Sequence, residues 1–194
     1  MGKALIIVDV QPTFCEGGEL GVEGGNAVAE RIAKYVESHR GEYAYIATTQ
    51  DWHIEPGTHW SDNPDYVDTW PVHGKAGTAN AELHPAIAAL KITHHFKKGQ
   101  YSPSYSGFEG SEDNTDRIPT RTEVDADLAA GKTHCQCVAG GWRHARGRRR
   151  IGGIALREGN RVGREKTRIR DACHRESDRT GQRGAWRRST TPNA

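Results

Sequence analysis

A doubly wound α/β fold around a parallel sheet is predicted by three stretches of this 194-residue chain. Ala4 to Val10 is aliphatic up to the acid Asp9, the pattern of a strand buried on both faces. Val28, Ala29, Ile32, Ala33 and Val36 recur at helical spacing and form one apolar stripe. Tyr43 to Thr49 is a second buried run, so a strand, a helix and a strand are complete by about residue 50, the unit that builds a parallel pair.

Each element follows from its own residues. The first strand ends at Asp9, and in open α/β sheets ligands bind at the carboxyl ends of strands, which gives this carboxylate a functional reading. The glycine-rich loop Gly17 to Gly25 leads to the helix, with Asn26 as the expected N-cap. Residues 55–80 are rich in Pro, Gly, Asp and Asn and predict a long loop, a type that is usually functional in a compact domain. Glu82 to Leu90 predicts a short helix, Ile92 to Phe96 a third strand, and Glu123 to Ala130 a further helix. His94 and His95 read as structural residues of a strand end.

The net charge of +2 hides an asymmetry. Residues 1–133 hold 11 basic and 20 acidic side chains, and residues 134–194 hold 16 and 5. The second part has fifteen arginines, no Phe or Tyr, and as larger aliphatics only Val138, Ile151, Ile154, Leu156, Val162 and Ile169. So few apolar groups do not offset the entropy of ordering, and no strand is expected there. The expected organisation is therefore one folded α/β domain over 1–133 and an arginine-rich segment without a fold over 134–194. A nucleic-acid arm is disfavoured, because Trp142 and Trp186 are the segment's only aromatics and no nucleic-acid-binding motif is present. The apolar N-terminal run is too short for a membrane span and lacks a small-residue cleavage site, so a cytoplasmic location is expected. Cys15, Cys135, Cys137 and Cys173 form no CxxC ribbon and read as unbridged thiols. Nothing in the sequence sets a subunit number.

Asp51, His53, His59 and His73 fall within twenty-three residues, in DWHIEPGTHW and WPVH. One carboxylate and three imidazoles suit a divalent metal such as zinc, iron or manganese, because neutral imidazole is a borderline ligand and the acid offsets part of the charge.

The motifs ALIIVDVQPTFCEGG, TTQDWHIEPGTHW, DTWPVHGKAGT and FKKGQYSPSYSGFEG cover residues 4 to about 110. They closely resemble the nicotinamidases of the isochorismatase-like cysteine hydrolases. That resemblance implies hydrolysis of nicotinamide, with pyrazinamide often accepted. It makes Asp9 the catalytic acid/base and Lys98 the lysine of an Asp-Lys-Cys triad. It also makes Asp51, His53, His59 and His73 the metal ligands, and Phe14, Trp70 and Tyr105 the lining of the substrate pocket. Two other readings stay open: another amidase or hydrolase of the same family, and an inactive metal-binding module with a basic nucleic-acid-binding tail.

The family's nucleophilic cysteine follows a buried strand and opens a helix, a setting that stabilises a thiolate. This chain has no such segment. Cys135 and Cys137 follow no strand pattern, and Cys15 matches a first-loop position, so none is assigned as the nucleophile. Back-translation one base forward allows residues 135–151 to encode ASALRAGGVTHVDVVG and residues 154–161 to encode SHCVKETA, which supplies the absent motif. The sequence therefore predicts an out-of-frame segment beginning near Thr133, exposed sheet edges and little turnover.

Overall fold

Strand β1 (Lys3–Val8), helix α1 (Gly25–His39) and strand β2 (Tyr43–Asp51) form the expected unit, with the two strands parallel and Val8 opposite Thr49. The structure, a computed structural model, describes residues 3–115, 117–130, 132 and 152–157. Strand β3 (His95–Lys98) adds in parallel to β2, and the short β4 (Ser111–Glu112) adds antiparallel to β3. Strand β5 (Gly152–Arg157) lies parallel to β1 on its other side, giving the order β4-β3-β2-β1-β5. The helices α2 (Pro85–Ala88) and α3 (Arg121–Ala129) complete the named elements.

The core follows from the period of each element. Leu5 and Ile7, two apart on β1, join Val10 and the α1 stripe of Ala29, Ile32, Ala33 and Val36 in one buried cluster. Ile87, Leu90 and Ile92 close that cluster from the α2 segment. Burying each such aliphatic contributes roughly 1.5–3 kcal/mol before entropy is subtracted. Ala4 and Ile6, on the opposite face of β1, are buried as well, so both faces of the strand are covered.

Several sequence expectations need correction. Asn26 does not cap α1. Gly24 holds that position, and Glu16 reaches across the loop so that its carboxylate accepts from the backbone N–H groups of Gly24 at 2.6 Å and Asn26 at 2.8 Å. A carboxylate at a helix N-terminus also meets the positive end of the helix dipole. The short helix is confined to Pro85–Ala88, started by His84, whose Nδ1 accepts from the Ala86 N–H. The third strand lies three residues later than Ile92, because Ile92 turns into the α1 cluster while Lys97 and Lys98 find buried partners and continue the ladder. The helix expected at Glu123 begins at Arg121, where Thr120 and Glu123 make a capping box.

The largest correction concerns the basic segment, where no strand was expected. Gly152–Arg157 pairs with all of β1, and β1 therefore has a neighbour on both sides instead of a bare edge. The slot beside a buried aliphatic strand accepts backbone pairing from a segment carrying only Ile154 and Leu156 as larger apolar groups. No helix among the described residues is long and apolar enough to cross a membrane.

Candidate active site

Three charged side chains converge because three neighbouring parallel strands end together. Asp9 follows β1, Asp51 closes β2 and Lys98 closes β3, with Asp51 and Lys98 in register. The Asp9 backbone turns sharply there, with φ of 53°. Asp is among the non-glycine residues that tolerate this region, which costs roughly 1–3 kcal/mol and recurs at functional sites. Backbone bonds from Asp9 N–H to Thr49 O at 3.1 Å and from Gln11 N–H to Asp9 O at 3.0 Å hold the turn.

Lys98 is shared by the two carboxylates. Its Nζ binds Asp51 Oδ1 directly and lies 3.4 Å from Asp9 Oδ2, with the lysine almost wholly buried. Burial alone would push the lysine toward the neutral form, but Asp9 and Asp51 more than reverse this and hold the ammonium above its usual range. Burial also raises Asp51, yet Lys98 and then His53 bring that carboxyl below its ordinary value. For Asp9 burial wins over Lys98 and over the Thr49 hydroxyl, which donates at 2.7 Å, so its carboxyl is raised. One cation between two acids thus leaves Asp9 the easier to protonate and Asp51 an anion.

Next to Asp51 the imidazoles of His53, His59 and His73 form a triangle, with ring centroids 5.0, 4.9 and 5.3 Å apart. All three are buried, and one ligand atom from each lies within 4.8 Å of the others. The His53 Nδ1–H donates to Gly99 O at 2.6 Å and the His73 Nδ1–H donates to Pro71 O at 2.7 Å. Because a carbonyl only accepts, both rings must present Nε2 to the centre, and each Nε2 lies 3.8 Å from Asp51 Oδ2. Burial pushes His53 down to about 4 and lowers His59 as well, so these two rings are neutral near pH 7. His53 Nε2 and His59 Nδ1 are buried polar atoms without a hydrogen-bond partner, a costly arrangement that a cation would relieve. Imidazoles aimed by backbone carbonyls beside a carboxylate are the ordering found around bound metals, and the donor set fits one.

A cavity of about 340 Å³ opens in front of these groups, and its wall includes Asp9, Asp51, His59, His73 and Lys98. Phe14, Trp70 and Tyr105 stand on the same wall, together with Leu20 and Val22. The Trp70 Nε1–H donates to the Tyr105 hydroxyl at 3.3 Å, and the Phe14 ring centroid lies 6.5 Å from that of His73. Eight of the nine candidate site residues line this one cavity, and His53 stands directly behind His59 and His73. A small planar molecule with one polar end suits such a pocket, where apolar walls provide affinity and a few fixed polar groups provide orientation.

The sequence matches the isochorismatase domain over residues 3–148. The chain belongs to the isochorismatase family. Within this family it is similar to the nicotinamidase/pyrazinamidase of Mycobacterium tuberculosis, with 47% identity over 112 residues, 58% of this chain and 60% of the relative. It is also similar to the nicotinamidase of Escherichia coli, 32% identical over 160 residues, covering 70% of this chain and 72% of that one. The chain thus spans about 60% of the length of the mycobacterial relative. Among solved structures, PnC1 from L. infantum in complex with nicotinate superposes with a TM-score of 0.51 and 28% identity, over 80% of this chain and 67% of that one.

Two residues of this isochorismatase-family site carry no signal of their role in the sequence. Thr49 orients Asp9, but a threonine inside a buried β-branched run gives no sign of its partner. Gly99 follows Lys98 with φ of 72°, and a Cβ there would meet the His53 ring at 2.4 Å. The glycine is what lets the backbone carbonyl approach and aim the imidazole. Cys135, Cys137 and Cys173 lie outside the described residues, and Cys15 is buried with its Sγ 3.4 Å from Gln11 O.

Proposed function

We propose that this site is built to hydrolyse nicotinamide to nicotinate and ammonia, in nicotinamide salvage in the cytoplasm, with pyrazinamide as a second substrate. The observation carrying this reading is the convergence of Asp9, Lys98, Asp51, His59 and His73 on one aromatic-walled cavity, with His53 completing the three-imidazole group beside Asp51. The names of the mycobacterial and E. coli relatives support the same substrate class. Asp51, His53, His59 and His73 would hold zinc, iron or manganese. When bound, that cation supplies an electrophilic anchor for the pyridine nitrogen.

The chain's own groups do the rest. Phe14 and Trp70 would enclose the ring, and Tyr105 lines the same pocket. Asp9, raised by burial, takes the proton of an attacking thiol and returns it to the departing ammonia. Lys98 keeps Asp9 within reach and balances its charge when it is ionised. The thiol attacks the carboxamide carbon, the C–N bond breaks, and water hydrolyses the resulting thioester.

No cysteine is assigned to that attack, and residues 134–194 are read as the product of a shifted frame that replaces the thiol-bearing segment. Two measurements test these readings. Ammonia release from nicotinamide by the purified chain, with its metal restored, is expected to be negligible; robust turnover abolished by Cys135→Ala or Cys137→Ala would overturn the frame reading. Sequencing the gene across the Thr133 codon is expected to show an alternative frame encoding a Cys-Val motif. If a chain restored to that frame hydrolysed another carboxamide and left nicotinamide intact, the substrate reading would fail.

A further inference from the structure

The hydrogen-bond ladder between β1 and β2 ends at Val8 and Thr49, two residues short of Asp51. Beyond that point a side chain takes over. Gln11 is fully buried, its Oε1 accepts from the Asp51 N–H at 2.8 Å, and its Nε2 donates to Asp51 O at 2.9 Å. The side-chain amide therefore pairs with both backbone groups of Asp51 as a neighbouring strand residue would. The same Nε2 donates to Ala81 O at 2.6 Å, which ties this strand end to the turn at Ala79–Ala81.

Thr13, two residues on and also fully buried, does the equivalent for the histidine segment. Its hydroxyl oxygen accepts from the Gly74 N–H at 3.2 Å and lies 2.9 Å from Asn80 O and 3.1 Å from Glu19 Oε2, either of which takes its proton. Gly74 follows His73, and its carbonyl accepts from the His53 N–H at 2.9 Å. A single short turn after β1 is thus bonded to the backbone of Asp51 and of Gly74, the residue that follows His73 and accepts from the His53 N–H, so it joins the 51–53 segment to the 73–74 segment.

We infer that Gln11 and Thr13 are positioning residues that set the spacing of the Asp51, His53 and His73 donors before a cation binds. This rests on the metal reading of the preceding subsection. Groups held by partners outside the ligand shell lose affinity when those partners are removed, by about 10–100-fold in comparable sites.

The test uses the full chain with cobalt(II) as the probe, because its visible absorption reports ligand geometry as well as affinity. Gln11→Met keeps the volume and loses all three hydrogen bonds, Thr13→Val keeps the shape and loses the hydroxyl, and Val36→Ala in α1 is a core control. Both site variants are expected to bind cobalt about 10–100-fold more weakly with an altered spectrum. Val36→Ala is expected to lower the urea midpoint and leave affinity and spectrum unchanged. Should Gln11→Met fail to fold, Gln11→Glu is read in its place, since it retains the acceptor for Asp51 N–H and loses both donations. Unchanged cobalt affinity and spectrum in the site variants, or an equal loss in Val36→Ala, would overturn the inference alone. A wild-type chain that binds no cobalt would overturn the metal reading, and this inference with it.

Discussion

Lys98 places one ammonium between Asp9 and Asp51 in a nearly dry setting, and removing it would leave two carboxylates facing each other without compensation. Lys98→Met is expected to destabilise the metal-free chain by about 3–5 kcal/mol, the cost of breaking a buried pair from one side. Denaturation by urea reads this loss, and an unchanged midpoint would mean that the carboxylates are screened by solvent. His53 answers to a different constraint, since its Nδ1–H is committed to Gly99 O and its Nε2 has no partner. His53→Ala is expected to weaken zinc binding by more than the roughly 10–100-fold lost when only an outer partner is removed. Metal analysis after dialysis against a weak chelator decides this, and unchanged stoichiometry and affinity would remove His53 from the ligand set. Gly99→Ala is expected to fold poorly, because the new Cβ meets the His53 ring and a left-handed backbone costs an alanine about 1–2 kcal/mol on its own. Thermal unfolding beside wild type measures it.

At the scale of elements, the same sequence signal can fix a strand's existence and leave its ends open. β1 is legible from an aliphatic run buried on both faces, β2 from a run that is buried from Ala47 to Asp51, and α1 from its stripe. β3 was misplaced because two lysines look like a strand's solvated end, whereas Lys97 here stands 3.8 Å from the centre of the Trp52 ring and binds Thr115 O. The N-cap of α1 is not legible because the acceptor for its N–H groups, Glu16, comes from a loop eight residues before the cap at Gly24. The start of helix α3 makes a pH-dependent contribution to stability. Glu123 accepts from the Thr120 N–H at 2.7 Å and pairs with Arg117, and first the Arg117 hydrogen bond and then the Thr120 groups lower its carboxyl to about 2. A carboxyl lowered on folding stabilises fully above its unfolded value near 4.5 and loses that contribution as pH falls toward 2. The stability gap between wild type and Glu123→Gln is therefore expected to be full at pH 6 and to narrow below about pH 4.5. Hydrogen exchange of residues 121–129 in both proteins follows it, and a gap independent of pH would show that the box contributes through shape alone.

For the molecule as a whole, the question is how an acidic, family-matched part and an arginine-rich part share one sheet. The isochorismatase match runs to residue 148, and β5 begins at Gly152, so the slot beside β1 is filled from the segment whose composition argued against any strand. Backbone pairing explains this, because a ladder needs N–H and C=O groups and makes only a weak demand on side chains. A chain ending at residue 148 would leave the β1 edge without its partner, and such edges recruit other chains. Light scattering is expected to show that truncated chain aggregating faster than the full one. Equal behaviour would mean that β5 contributes nothing to solubility.

Taken alone, the sequence determined the βαβ unit and marked four residues of metal-ligand type, because period, spacing and residue chemistry are local properties, while the resemblance of its motifs named Asp9 and Lys98 together. Only the tertiary structure decided which charge Lys98 favours, that Glu16 caps α1, and that Gln11 and Thr13 bind the ligand segments. Those are contacts that cross a loop or join distant segments of the chain. Their strength depends on burial and on angstrom-scale distance, and neither quantity exists until strands, loops and turns have packed against one another.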